Sequence, residues 1–108
     1  MKFQNLTTDP LSLVPHELKP LVPGFLNRRH HEVLEMRDML ARLDFAGIQA
    51  TAHRLKGNGG GFGFPIVTEI GKNLEMAAKQ RQPAGVQEWI EHLAEFTIQT
   101  RRVLKLEE

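Results

Sequence analysis

The sequence contains no cysteine, so disulfide bonds and thiolate metal sites are excluded. No apolar run approaches the roughly 20 residues that a membrane-spanning helix needs, and residues 1–10 lack the apolar core of a signal peptide. A net charge of +1 gives no field strong enough to attract nucleic acid or anionic lipid. We therefore expect a cytoplasmic protein with neither nucleic acid nor a membrane as its partner.

The remaining composition is that of an ordinary folded domain. Hydrophobic residues make up 41% of the 108 residues and charged residues 25%, which argues against disorder. A chain of this length supports one modest core, so we expect a single folding unit.

Proline divides the chain at its beginning. Pro10, Pro15 and Pro20 lie so close together that residues 1–22 cannot form one long helix. We predict that residues 1–22 form an irregular arm, with at most one short helical turn, that packs on or caps a domain at residues 23–108.

Beyond the arm, apolar residues recur three and four positions apart, the spacing of a helix with one buried face. The pattern predicts a first helix after Gly24, a second after an N-cap at Asp44, a third of about sixteen residues from Pro65, and a fourth from Pro83. The first stripe is Leu26, Val33, Met36, Leu40 and Leu43, and the last is Val86, Trp89, Ile90, Leu93, Phe96, Thr100, Val103 and Leu104.

No segment alternates with the period of a strand, so the predicted fold is all-α. We expect an antiparallel up-and-down four-helix bundle with short connections, and a monomer, because one bundle accommodates both the charged and the apolar residues. Met36, Met39 and Met76 lie on helical stripes and are predicted to belong to the core rather than to a cofactor pocket.

The most unusual stretch is AHRLKGNGGGFGF, residues 52–64, which combines one histidine with five glycines. At about 100° per residue, Gln49, Lys56, Gly57 and Gly60 lie within about 60° of His53, on a face away from the core stripe. Either the second helix ends near Lys56 and a loop follows, or small residues clear the surface around the imidazole. The pattern GxxxxGK[ST] is absent and no strand precedes the stretch, so nucleotide binding is excluded.

The spacing HxLKGxGxxxG, formed by His53, Leu55, Lys56, Gly57, Gly59 and Gly63, resembles the histidine phosphotransfer (HPt) domains of two-component phosphorelays. The likeness covers most of the chain, from about residue 25 to residue 79, with helical periodicity continuing through Leu104. Asn58 and the third consecutive glycine depart from the pattern, since relatives often carry Ser or Ala there.

This resemblance implies roles for particular residues. His53 would accept the phosphoryl group, Lys56 would steady its oxygens, Gly57 would permit access, and Gly63 would close the motif. Glu75 stands where the family usually has Gln or Glu facing the histidine, and it would hold Nδ1 so that Nε2 is the nucleophile. Its alternative role is surface pairing with Lys72 or Lys79.

The resemblance also implies partners. Lys56, with Arg54, Lys72 and Lys79, would complement the acidic, Mg²⁺-holding site of a response-regulator receiver domain. The residues predicted to bind that domain are Gln49, Gly57, Gly60, Gly63 and Lys72. The metal would belong to that partner, and we expect no cofactor bound to this chain. We expect no autophosphorylation with ATP, since 108 residues leave no room for a kinase domain.

The leading hypothesis is therefore a phosphorelay intermediate that carries phosphate between receiver aspartates on His53. A second hypothesis is the detached phosphoacceptor module of a sensor histidine kinase, which Glu75 favours because glutamate there resembles the chemotaxis-kinase branch. A third is a helical interaction module without chemistry. Metal binding is a further alternative for His30, His31 and Glu35, but adjacent histidines point about 100° apart on a helix, so we predict a solvated polar face there instead.

Overall fold

The computed structural model describes residues 11–105, which form four α-helices and contain no strand. A 3₁₀ helix, His16–Leu21, precedes them. The α-helices are α1 (Val22–Ala41), α2 (Phe45–Phe62), α3 (Pro65–Lys79) and α4 (Pro83–Val103). They form an all-helical bundle in which α2 packs mainly on α3 and α1 on α4. None of the helices in residues 11–105 combines the length and the hydropathy of a membrane-spanning segment.

The predicted helix starts are confirmed for α2, α3 and α4. Asp44 caps α2 through its Oδ1, which accepts a hydrogen bond from the Gly47 N–H at 2.9 Å. Pro65 and Pro83 each occupy the first helical position, where the missing N–H costs nothing. Helix α1 begins at Val22, slightly before the predicted start, because Pro23 is tolerated in a first turn.

The stripes predicted from spacing supply most of the core. Every helix contributes apolar side chains to it. Four phenylalanines pack against one another: the ring centroid of Phe25 lies 4.5 Å from that of Phe62 and 5.2 Å from that of Phe64, and the centroids of Phe64 and Phe96 lie 5.5 Å apart. The largest apolar side chains that are fully buried are Leu26, Met36, Ile48, Leu55, Ile70, Leu74, Ile90 and Leu93.

Three predicted core positions are wrong. Leu43 is 62% exposed because α1 has ended and the residue has a left-handed backbone, φ 56°, so the helical period no longer applies. Val103 is exposed as the last residue of α4, and Met76 is exposed on α3. Met76 lies about 160° around α3 from the centre of its buried face, which explains its exposure.

Part of the predicted arm packs on the bundle. Val14 is buried in the core, and Leu11 and Leu18 pack partly against it. The division into an arm and a domain stays a prediction, and residues 1–10 and 106–108 lie outside the described residues.

Candidate functional site

His53 lies on the outer side of α2 with 67% of its side chain exposed. Its Nδ1 lies 3.0 Å from Oε2 of Glu75, which α3 brings across from 22 positions along the chain. The ring is therefore accessible to another molecule while one of its nitrogens is held by the protein.

Glu75 joins two of the residues singled out in the sequence. While Oε2 contacts His53, Oε1 lies 2.9 Å from Nζ of Lys56. The carboxylate thus pairs with Lys56 rather than with Lys72 or Lys79, the partners considered from helical spacing. The structure brings His53, Lys56 and Glu75 together into one cluster on the surface.

The cluster favours the charged form of Glu75. The Lys56 ammonium, hydrogen-bonded to the carboxylate, lowers the pKa of Glu75 below its usual value; partial burial opposes this shift, and the contact with His53 adds to it. An ionised carboxylate only accepts hydrogen bonds. His53 Nδ1 therefore donates to Glu75, and Nε2 of the neutral ring keeps the lone pair.

The lowered pKa of Glu75 predicts a pH-dependent contribution to stability. A carboxyl whose folded pKa lies below its unfolded value of 4.5 stabilises the fold above that value, and this contribution is lost as the pH falls through the folded pKa. Urea unfolding of the wild type and of Glu75→Gln between about pH 6 and pH 3 should show a difference that narrows on acidification. We expect at most about 1 kcal/mol, since the pair is partly solvated.

Lys56→Met provides the control for this effect. Because Lys56 is the main cause of the lowered pKa of Glu75, its removal should weaken the pH dependence that Glu75→Gln abolishes. A wild-type minus Glu75→Gln difference that stays constant over the whole range would contradict the assigned pKa direction.

The glycine-rich stretch is helical rather than a loop, because α2 continues past Lys56 to Phe62. Two of its glycines, Gly57 and Gly61, are exposed and a Cβ added to either would touch nothing within 4 Å. A Cβ at Gly60 would meet only Oγ1 of Thr68, at 3.5 Å. Packing therefore does not require glycine at these positions. Each glycine also lowers the stability of the helix by about 1 kcal/mol relative to alanine. Their effect is to leave α2 without side chains at these three positions beyond His53.

Other glycines are required by the fold. A Cβ at Gly59 would lie 2.6 Å from the backbone nitrogen of Thr68, and one at Gly71 would lie 2.7 Å from that of Lys56. Gly63 ends α2 with a left-handed φ of 89°, and a side chain there would collide with the Leu13 carbonyl. Gly63, predicted as a binding residue, thus has a sufficient explanation in chain geometry.

The remaining residues predicted for binding lie near the cluster in sequence. Gln49 is half-buried one turn before His53, and Lys72 is exposed one turn before Glu75. Arg54 is also exposed and its Nη2 lies 3.4 Å from Oγ1 of Thr51. Their contribution to binding stays a prediction.

Metal binding gains no support from residues 11–105, where no group of three or more His, Cys, Asp or Glu side chains could hold an ion. The rings of His30 and His31 are 5.9 Å apart, edge to face, on the exposed side of α1. Both side chains are exposed, in agreement with the predicted solvated polar face.

Two contacts of the cluster were missed from the sequence. One is the pairing of Lys56 with Glu75, and the other is the hydroxyl of Thr68, which donates to the Lys56 carbonyl at 2.9 Å. Both join α2 to α3. No spacing within a single helix signals such contacts, because they depend on how two helices are aligned.

The site is thus an accessible imidazole held at Nδ1 on a helical bundle, with exposed glycines following it on the same helix. The family model described as the Hpt domain matches residues 23–103, and the chain belongs to that family. No curated protein and no solved structure gave a significant match. Family membership assigns the chain to phosphotransfer in two-component signalling, where Hpt domains interact with receiver domains and kinases.

Proposed function

We propose that the chain is a phosphorelay intermediate that transfers a phosphoryl group reversibly between receiver-domain aspartates through His53. The observation that carries the proposal is the 3.0 Å contact of Glu75 with Nδ1 of a ring that is 67% exposed. It supports a ring that is held through Nδ1 and leaves Nε2 as the nitrogen available to a docked protein.

In the proposed step, the lone pair on His53 Nε2 attacks the phosphorus of an aspartyl phosphate on the receiver. The new N–P bond forms as the P–O bond to the aspartate breaks, and the aspartate leaves as a carboxylate. The proton stays on Nδ1, so the ring becomes positively charged and Glu75 stabilises that charge. The same steps in reverse return the phosphoryl group to a second receiver.

Lys56 is proposed to stabilise the transferring group. Its ammonium is already beside the site because Glu75 holds it, and it can attract phosphoryl oxygens there. Gly57 and Gly60 are proposed to let the receiver approach, and Gln49 and Lys72 to contact it. Mg²⁺ is proposed to be held by the receiver and not by this chain, and positioning then contributes most of the rate.

The direct test is incubation with a phosphorylated receiver and Mg²⁺. The wild type should gain an acid-labile, base-stable phosphate, and His53→Gln should gain none, because the amide is not a nucleophile. His31→Gln, which changes an exposed histidine on α1, should accept phosphate like the wild type. Phosphate transfer that survives in His53→Gln would disprove the proposal.

The phosphodonor distinguishes the alternatives. A detached module of a sensor histidine kinase would be phosphorylated by that kinase with ATP but not by phosphorylated receivers. A pure interaction module would bind its partner equally well after His53→Ala and would carry no phosphate. Glu75 is the residue that keeps the kinase module under consideration.

We also propose that the helices run antiparallel, up and down, in a monomeric bundle. Connections of two or three residues support this course, since they leave successive helices side by side. Between α2 and α3 the contacts run in opposite order along the chain, with Gly59 near Thr68 and His53 near Glu75. The cytoplasmic location stays a prediction from the sequence.

A further inference from the structure

Thr68 makes the only side-chain hydrogen bond recorded from α3 to the backbone of α2 within residues 11–105. Its Oγ1 donates to the carbonyl oxygen of Lys56 at 2.9 Å, and the residue is half-buried. The bond therefore ties α3 to the glycine-rich part of α2, one turn beyond His53.

Thr68 and Glu75 are seven residues apart on α3, about 20° short of two full turns. They lie on the same face, about 10.5 Å apart along the helix axis. Their neighbours on α2 have the same separation, since Thr68 lies beside Gly60 and Glu75 beside His53. The hydroxyl contact and the carboxylate contact are thus matched parts of one alignment of the two helices.

This alignment has little tolerance. One residue of displacement along a helix is about 1.5 Å, enough to lengthen and misalign the 3.0 Å contact between Glu75 and Nδ1. The glycines of α2 provide no side chains that could hold the alignment beside His53, whereas the side-chain hydroxyl of Thr68 bonds to the α2 backbone there.

We propose that Thr68 is a positioning residue for His53. By fixing α3 against the Lys56 carbonyl, its hydroxyl sets the alignment at which Glu75 reaches both His53 Nδ1 and Lys56 Nζ. Its effect on phosphoryl transfer rests on the proposed function, but its effect on the imidazole does not.

The test compares Thr68→Val, which removes the hydroxyl but keeps the shape, with Thr68→Ser, which keeps the hydroxyl. Thr97→Val is the matched control, because Thr97 also donates to a backbone carbonyl, that of Leu93, but within α4. The first measurement is the tautomer of His53 by ¹⁵N NMR at about pH 8.5, above the usual imidazole range. It needs no phosphodonor.

Thr68→Val should raise the ratio of Nε2–H to Nδ1–H tautomer about fivefold, the factor expected for one lost hydrogen bond. Thr68→Ser and Thr97→Val should leave that ratio as in the wild type. An unchanged tautomer in Thr68→Val would overturn the proposal, as would an equal change in Thr68→Ser or in Thr97→Val.

The second measurement is the transfer rate from a phosphorylated receiver. Thr68→Val should lower the rate at saturating receiver by about fivefold with unchanged receiver affinity, and Thr68→Ser should restore it. If the wild type accepts no phosphate at all, the proposed function fails, and the tautomer alone still decides whether Thr68 positions His53.

Discussion

Replacing Gly59 by alanine is expected to lower the free energy of unfolding by about 2 kcal/mol, whereas the same change at Gly61 is expected to raise it by up to about 1 kcal/mol. Both glycines lie in α2, so both variants gain the same helix propensity. The new Cβ at position 59 would lie 2.6 Å from the Thr68 backbone nitrogen, while that at position 61 would touch nothing. Urea unfolding followed by circular dichroism measures both effects.

Gly71→Ala extends the test to the other helix. Its Cβ would lie 2.7 Å from the Lys56 backbone nitrogen, so we expect a loss similar to that of Gly59→Ala. If both variants were as stable as Gly61→Ala, the close approach of α2 and α3 would be wrong. Since that approach brings Glu75 to His53, the site would have to be reconsidered with it.

Replacing Gly57 by glutamine is expected to have opposite effects on stability and activity. A side chain there meets no atom of its own chain within 4 Å of its Cβ, and glutamine is a better helix former, so the fold should gain about 0.5–1 kcal/mol. The same side chain would occupy the space beside His53 that a receiver is proposed to enter. We expect transfer to slow by at least about tenfold, which corresponds to 1.4 kcal/mol.

Gly24→Gln is the matched control for this variant. Gly24 is also an exposed helical glycine with no atom near its added Cβ, but it lies at the start of α1. It should leave the transfer rate unchanged. Stopped-flow or quenched transfer from a phosphorylated receiver, together with urea unfolding, gives both quantities. A Gly57→Gln variant that transfers at the wild-type rate would contradict the proposal that the absence of a side chain at Gly57 lets the receiver approach His53.

The helices could be predicted because their signals are local. Asp44, Pro65 and Pro83 mark starts by the chemistry of a single turn, and the apolar stripes follow from a fixed period. The same local rule misplaced Leu43, because the period was carried past the point where the backbone changes. It could not decide whether α2 continues through its glycines, since propensity opposes a helix that packing against α3 maintains.

Local sequence patterns predicted only part of the candidate site. The pairing of His53 with Glu75 was expected from the family resemblance, but the contacts of Lys56 and Thr68 depend on the alignment of two helices. The buried ion pair on α1 was missed for a different reason.

In that ion pair Arg29 donates two hydrogen bonds to Glu32, at 2.7 and 3.0 Å, and its guanidinium lies 4.5 Å from the ring centroid of Phe25. Two charged residues three apart are usually solvated, and nothing in their spacing distinguishes these from the exposed ones.

The exposed glycines that follow His53 on α2 present only backbone atoms to a docking protein. Such a surface has no side chains with which to distinguish one partner from another. If receivers dock on this face as proposed, discrimination between them would depend on the exposed residues at its edge, Arg54 and Lys72. Substitutions that change which receiver the protein prefers should therefore occur at these edge positions, while the glycines themselves are retained.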